Sequence, residues 1–477
     1  MLGLDPSIHG QVEIAEVGAV GPRVKREDVN YEKARLEGPS RPPHRCAIVR
    51  AMSVAPHTAW LPQRPADPLW SVAEARAVAR AFDPRSLPAG FYDNPYPTYR
   101  ALQAHEPVHR CPDGSFVLTR YDDLNRVYRD TRTFSSDKTV EFKPKYGDSP
   151  LYRHHTTSLV FNDPPLHTRV RKLIVGALTP RAIARMEPGL VTLVDRLIER
   201  IAAKREADLI EDFAAAIPVE IIGNLLAVPQ ADRGPLRAWS LAILGALEPV
   251  LTPEQEARGN AAITEFLAYL EDLVADRRKH PGDPVSDVLT RLIQGEGDGE
   301  RLSHSELLHN CIFILNAGHE TTTNLIGNGL YVLMEWPRER QRLIANPELI
   351  ETAIEEFLRF ESSNQIGNRR VVAETEIGGV AMAPGTLLTL VIGAANRDPA
   401  QFPDPDTLDV TRQPNRHLAF GGGPHLCAGL SLARLEGRIA IARFLERFPD
   451  YALSGTPRRG GRARFRGFLS LPVSARN

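Results

Sequence analysis

Through the middle of the chain, apolar residues recur every third or fourth position. In VTLVDRLIERIAA (Val191–Ala203) they trace one face of an amphipathic helix, and patterns of this kind dominate from Pro165 to Phe360. The longest begins at Leu302. Ser303 and Glu306 stand in capping-box spacing, and no proline interrupts the run until Pro337. At ~1.5 Å per residue this predicts a helix on the order of 50 Å long, enough to cross a whole domain. Asn346–Pro347 marks another helix start, a capping residue followed by proline in the first turn, after which Ile350, Ile354 and Phe357 share a face. A last long helix is predicted just after Cys427, with Leu432, Leu435, Ile439 and Ala442 on one face and Pro449 at its end. Alternation of period two is scarcer. GSFVLTRY (Gly114–Tyr121) reads as a turn and strand, and the stretch from Arg370 to Ile392 as strands cut by turns at Gly378–Gly379 and Pro384–Gly385. The irregular, Pro- and Asp-rich segment Ala395–His417 follows. The pattern predicts a mainly α protein with a smaller β-rich part (α+β), forming one domain over residues 66–477. Residues 1–65 show neither period, are rich in Gly, Pro and mixed charge, and read as a disordered or loosely attached extension; Met52 offers an alternative start.

Composition narrows the function classes. The chain has 477 residues, 42% hydrophobic and 25% charged, which is enough apolar material for a large core. The formal net charge of −1 gives no global attraction to nucleic acid or to an anionic membrane. No stretch of eighteen apolar residues exists to span a membrane, and Asp5, His9, Glu13 and Glu16 interrupt the N-terminus where a signal peptide would need an apolar run. Cys46, Cys111, Cys311 and Cys427 are far apart and form no CxxC pair, so a reduced, cytoplasmic protein is expected. His417, His425 and Cys427 lack the further cysteines of a structural zinc site.

Cys427 is the residue whose surroundings ask for an explanation. It lies behind Gly421, Gly422 and Gly423, at the mouth of the last long helix. Glycines let the backbone turn tightly and approach something flat or bulky. Free N–H groups at a helix N-terminus favour a thiolate, which is the form that ligates metals or attacks substrates. A buried structural cysteine beside a turn fits the same local physics.

The pattern Phe420-Gly421-x-Gly423-x-His425-x-Cys427-x-Gly429 resembles the haem-ligand loop of the cytochrome P-450 family. Three more segments resemble that family's motifs in the expected order, covering about Phe82 to the C-terminus. Asn316–Thr322 (NAGHETT) is similar to its oxygen-binding groove, Glu356-x-x-Arg359 to its ExxR motif, and His167-x-x-x-Arg171 to its propionate-holding pair. The resemblance implies the fold of that family, with a long central helix over haem b and the cysteine loop on the proximal side. It implies Cys427 as the axial thiolate of the haem iron, Ala317 and Gly318 as the residues leaving room for dioxygen, and Glu320 and Thr321 as a proton relay. His167, Arg171, Arg369 (with Arg370 beside it as the alternative) and His425 would hold propionates, with Phe420 and Gly429 completing the cofactor loop. Arg412 would join Glu356 and Arg359 in a network that braces the loop.

The function so implied is that of a soluble, bacterial-type haem-thiolate monooxygenase that activates dioxygen with two electrons and hydroxylates a small apolar substrate. The electrons would come from a ferredoxin or flavodoxin with an NAD(P)H-dependent reductase, docking on the Cys427 side at basic residues such as Lys172, Arg434 and Arg438. A monomer is expected. A haem-thiolate peroxygenase and a non-catalytic haem sensor or carrier are the alternatives. Asn364, Gln365, Gly367 and Asn368, after the ExxR segment, are candidates for the substrate pocket.

Overall fold

The long central helix forms where the capping signal places it. In the computed structural model, which describes residues 67–284, 287–294 and 302–475, it runs His304–Glu335. Ser303 accepts from the Glu306 N–H at 3.2 Å, and the Glu306 carboxylate accepts from the Ser303 N–H at 2.7 Å. The extension expected over residues 1–65 lies outside the described residues.

Eight helices matter for the site. They are α1 (Thr139–Tyr146), α2 (Leu166–Ala177), α3 (Pro180–Lys204), α4 (Leu236–Gly245), α5 (Pro253–Lys279), α6 (His304–Glu335), α7 (Ile350–Phe360) and α8 (Leu430–Arg447). The amphipathic run at Val191–Ala203 is part of α3, which buries Leu193, Val194, Leu197, Ile198 and Ile201. α6 is buried on nearly every side and packs against α4, α7 and α8. One boundary differs from the sequence reading. Asn346 does not cap α7: its side chain donates back to the Arg342 carbonyl at 2.9 Å, and Pro347–Leu349 forms a 3₁₀ turn before α7 begins. The preceding helix, Pro337–Ala345, leaves C-terminal carbonyls to satisfy, and the Asn346 amide is spent there.

The β part is a five-stranded sheet with order β1–β2–β5–β4–β3, made of β1 (Val108–Arg110), β2 (Phe116–Leu118), β3 (Phe134–Ser135), β4 (Ile366–Val371) and β5 (Leu387–Val391). β2 pairs parallel to β5 with Val117 opposite Thr389, and the other pairings are antiparallel. The expected turns are present, with Gly378, Gly379 and Gly385 at positive φ. A two-stranded hairpin, β6 (Arg458–Arg459) with β7 (Phe468–Ser470), carries the turn that later meets α6. The largest apolar core lies among the helices, and a second lies under the sheet around Phe134, Val371, Leu388 and Leu390.

Candidate active site

The middle of α6 presents one accessible face, the wall of the candidate cleft. Phe313, Ile314, Ala317, Gly318 and Thr321 keep accessible surface, while Leu315, Asn316, His319, Glu320 and Thr322 between them are buried. The spacing of the first set, at i, i+1, i+4, i+5 and i+8, is one helical face. Thr321 donates its hydroxyl to the Ala317 carbonyl at 2.7 Å, the backward bond expected of a threonine inside a helix. A side chain at Gly318 would place its Cβ 2.5 Å from Ile222 Cδ1, so a neighbouring helix sits against this position.

The cysteine loop is shaped by its glycines. Gly421 and Gly423 adopt φ of 67° and 61°. A Cβ at Gly423 would lie 2.1 Å from the Tyr128 carbonyl oxygen, a contact only glycine tolerates. The Cys427 N–H donates to the Phe420 carbonyl at 3.0 Å, closing the loop three residues before α8, for which Gly429 is the N-cap. Phe420 lies under the Arg434 guanidinium, 4.9 Å from ring centre to the charge. Burial pushes the Cys427 thiol up, opposed by the Gly429 N–H donating to sulfur and by the charges of Arg171 and Arg434. The Gly429 N–H at the start of α8 acts in the direction expected of a helix N-terminus, against the cost of burying the thiol.

Beside the loop, donors gather around one nearby acid, Asp163, whose carboxylate oxygens accept from the Ser135 hydroxyl and the Ser136 N–H rather than from any of them. The rings of His167 (α2) and His425 lie 3.9 Å apart. Arg171, one turn on from His167, donates to the Leu426 carbonyl at 2.6 Å. Arg369 on β4 is buried, with its guanidinium 5.2 Å from the Tyr128 ring centre and one bond to the Asn368 carbonyl. Among the described residues neither arginine has a carboxylate within ion-pair distance, and the Nε2 atoms of His167 and His425 are buried without partners. Burial, then the charges of Arg369, His167 and Arg171, press His425 down to about 2. Such a set fits a ligand bearing carboxylates, which is the chemistry of haem propionates. The choice between Arg369 and Arg370 falls to Arg369, whose charge bears on His425.

The ExxR pair is a buried network. The Glu356 carboxylate accepts from Arg359 Nε and Nη2 (2.8 and 2.7 Å), Arg412 Nε (3.2 Å), Asn415 Nδ2 (3.1 Å) and the Asp409 N–H (3.0 Å). Arg359 also donates to the Asn396 carbonyl at 3.0 Å, and Asn396 accepts from the Leu418 N–H at 2.7 Å. The brace thus reaches the start of the cysteine loop through Asn396, a residue that no motif marks in the sequence.

Glu320 and Thr321 face different spaces. Glu320 is buried and paired with Arg462, from the β6–β7 turn, at 2.5 Å; Arg462 also donates to the Leu241 carbonyl at 3.0 Å. Burial raises the Glu320 pKa against the pull of Arg462. A cavity of about 20 Å³ beside it is lined by His319, Asn324 and Arg237 among others, room for a single water. Arg462 was not foreseen, because nothing local in a glycine- and arginine-rich turn tells which arginine will meet an acid 142 residues away.

The pocket candidates divide. Gln365 is buried and donates to the Ser362 carbonyl at 2.8 Å, and Asn364 bridges to Phe465. Asn368 accepts from Arg464. Gly367 leaves no free space: a Cβ there would lie 2.7 Å from the Tyr128 hydroxyl. On the surface, Arg434 pairs with Glu355 (2.6 Å) and Arg438 with Glu351 (2.9 Å), both arginines remaining partly accessible; Lys172 is exposed on α2.

Comparison with known proteins agrees with this geometry. The cytochrome P-450 family profile matches residues 241–457. The chain is 35% identical over 370 residues to the biotin biosynthesis cytochrome P-450 of Bacillus subtilis, covering 76% of this chain and 91% of that protein. It is 38% identical over 368 residues to the vitamin D(3) 25-hydroxylase of Pseudonocardia autotrophica, covering 76% and 89%. Among solved structures, P450BioI in complex with hexadec-9Z-enoic acid ligated acyl carrier protein superposes with a TM-score of 0.76 at 34% identity, covering 81% of this chain and all of that one. CYP109E1 from Bacillus megaterium in complex with testosterone gives 0.74 at 29% identity, over 82% and 100%. No helix among the described residues is long and apolar enough to cross a membrane. With relatives matched at 35% and 38% identity over most of their length, the chain belongs to the cytochrome P-450 family, whose members bind haem through a thiolate and act as monooxygenases.

Proposed function

We propose that this monooxygenase hydroxylates an organic substrate with an apolar body over a haem b held by Cys427, and that it works as a cytoplasmic monomer drawing electrons from a ferredoxin or flavodoxin with an NAD(P)H-dependent reductase. The observation that carries the reading is the donor set of His167, Arg171, Arg369 and His425, assembled from three elements beside the cysteine loop with no carboxylate among the described residues paired to it. When bound, haem supplies the iron at which dioxygen is reduced and split. The chain's own residues then divide the work. His167, Arg171, Arg369 and His425 would hold the propionates. Ala317 and Gly318 keep the α6 backbone thin at the cleft. Thr321 donates to the Ala317 carbonyl and so leaves its oxygen lone pairs to order a water. Glu320, kept toward its protonated form by burial, is the neighbouring proton store, and Arg462 fixes its orientation. The absorption spectrum of the reduced protein with carbon monoxide tests the ligand assignment, and product formation with reductant and partner proteins tests turnover.

One outcome follows for Thr321→Ala. Haem content and substrate binding are expected to persist, because the change is small and local. Without the hydroxyl, proton delivery loses its last ordered step. Reductant consumption is therefore expected to continue while product falls several-fold, roughly 10-fold, and hydrogen peroxide rises. Wild-type coupling in this variant would reduce the segment to a helix bend.

A further inference from the structure

The turn joining β6 to β7 is tied down at two points around the cleft. Arg462 holds Glu320, the neighbour of Thr321, and Arg464 donates to Asn368, the neighbour of Arg369. Arg464 is therefore stationed between the α6 segment that walls the candidate cleft and the strand of the donor set. Its Nη1 reaches the Ile366 carbonyl at 3.1 Å. Its Nε is buried with no acceptor, while the residue as a whole keeps some accessible surface. No carboxylate pairs with it. Glu248, the acid whose charge bears most on it, spends both oxygens on backbone, accepting from the Ala463 N–H at 2.8 Å and the Arg464 N–H at 3.1 Å.

A second cation shares this region. Lys145, on α1, donates only to the carbonyls of Glu248 (2.5 Å) and Ala246 (3.3 Å). Burial, then the charge of Arg464, lowers Lys145 to about 8. Two sequestered cations without a carboxylate partner are costly, and an incoming anion relieves both. Arg464 adjoins the propionate donors, since Tyr128 and Lys138 lie near both Arg464 and Arg369 and both arginines donate to Asn368, but it is not among the charges that bear on His425, and the acid that bears most on it is Glu248.

We infer that the substrate carries a carboxylate, anchored by the planar fork of Arg464 with Lys145 behind it, and that its apolar remainder lies along the Phe313–Ala317 face of α6. The inference rests on the haem-monooxygenase reading above and adds the substrate class. Bidentate pairing to a carboxylate suits a guanidinium already held by Ile366 and Asn368.

The test titrates haem-loaded protein with dodecanoic acid, its methyl ester and dodecan-1-ol, reading the spin-state shift. The acid is expected to bind roughly 10- to 100-fold tighter than either neutral analogue, as a charge-assisted pair requires. Arg464→Gln is expected to remove that advantage, with ester affinity and haem content unchanged, and Lys145→Met to reduce it. An acid that binds no tighter than the ester, including the case in which none of the three gives a saturable shift, overturns the inference. So does an Arg464→Gln protein that loses haem, which would make Arg464 a propionate ligand. If that variant does not fold, the wild-type series and Lys145→Met decide. A wild-type protein without a thiolate-type carbon monoxide spectrum would instead refute the underlying reading, and is scored separately.

Discussion

Cys427→Ser is expected to remove the thiolate-type carbon monoxide spectrum entirely and, with it, monooxygenase turnover. The serine hydroxyl is close in size and can keep the loop's backbone bonds, so folding is expected to survive. It remains protonated at neutral pH and offers iron no anionic ligand. The three cysteines among the described residues make the test clean. Cys111 is buried in an apolar cluster away from α6. Cys311 lies on α6 itself, where burial alone pushes its thiol up to about 12, a group that stays protonated and inert. Only Cys427 combines a sulfur with accessible surface, a Gly429 N–H donating to it, and two nearby arginines. A thiolate-type spectrum that persists in Cys427→Ser would move the ligand elsewhere, and a parallel Cys311→Ser variant would locate it.

Glu356→Gln is expected to be the most destabilising single change in the framework. The carboxylate is fully buried and accepts from five donors, two of them on the equally buried Arg359. An amide keeps the shape but turns one acceptor into a donor facing other donors, and leaves two guanidinium groups uncompensated. Removing one partner of a buried pair costs about 3–5 kcal/mol. The loss propagates to the loop because Arg359 also holds Asn396, which holds Leu418. Denaturant titration and haem content per chain measure the two consequences. A variant with wild-type midpoint and full haem loading would show that the loop is braced from elsewhere.

The long elements were legible before any coordinates. A capping box at Ser303 and thirty residues without proline fix where α6 starts and how far it runs, because both signals act within a turn or along one helix. The four motifs were legible for the same reason: each is a short run whose residues share a turn or a face. Asn346 shows where local rules fail. Its side chain could cap one helix or close another, and the choice belongs to carbonyls that only the folded chain presents.

What the sequence alone determined, then, is the helical frame, the strand-rich insert, the cysteine with its glycine turn and the identity of the donors. Which arginine meets which acid was decided in three dimensions. Arg462 rather than any neighbour takes Glu320, Arg434 and Arg438 are paired with Glu355 and Glu351, and Arg464 is left without a carboxylate. So were the groups set around Cys427, where burial is opposed by the Gly429 N–H, Arg171 and Arg434. Hydrophobic period is a property of one segment, but the energy of a charge depends on desolvation and on every partner within a few ångströms, and those partners come from segments hundreds of residues apart.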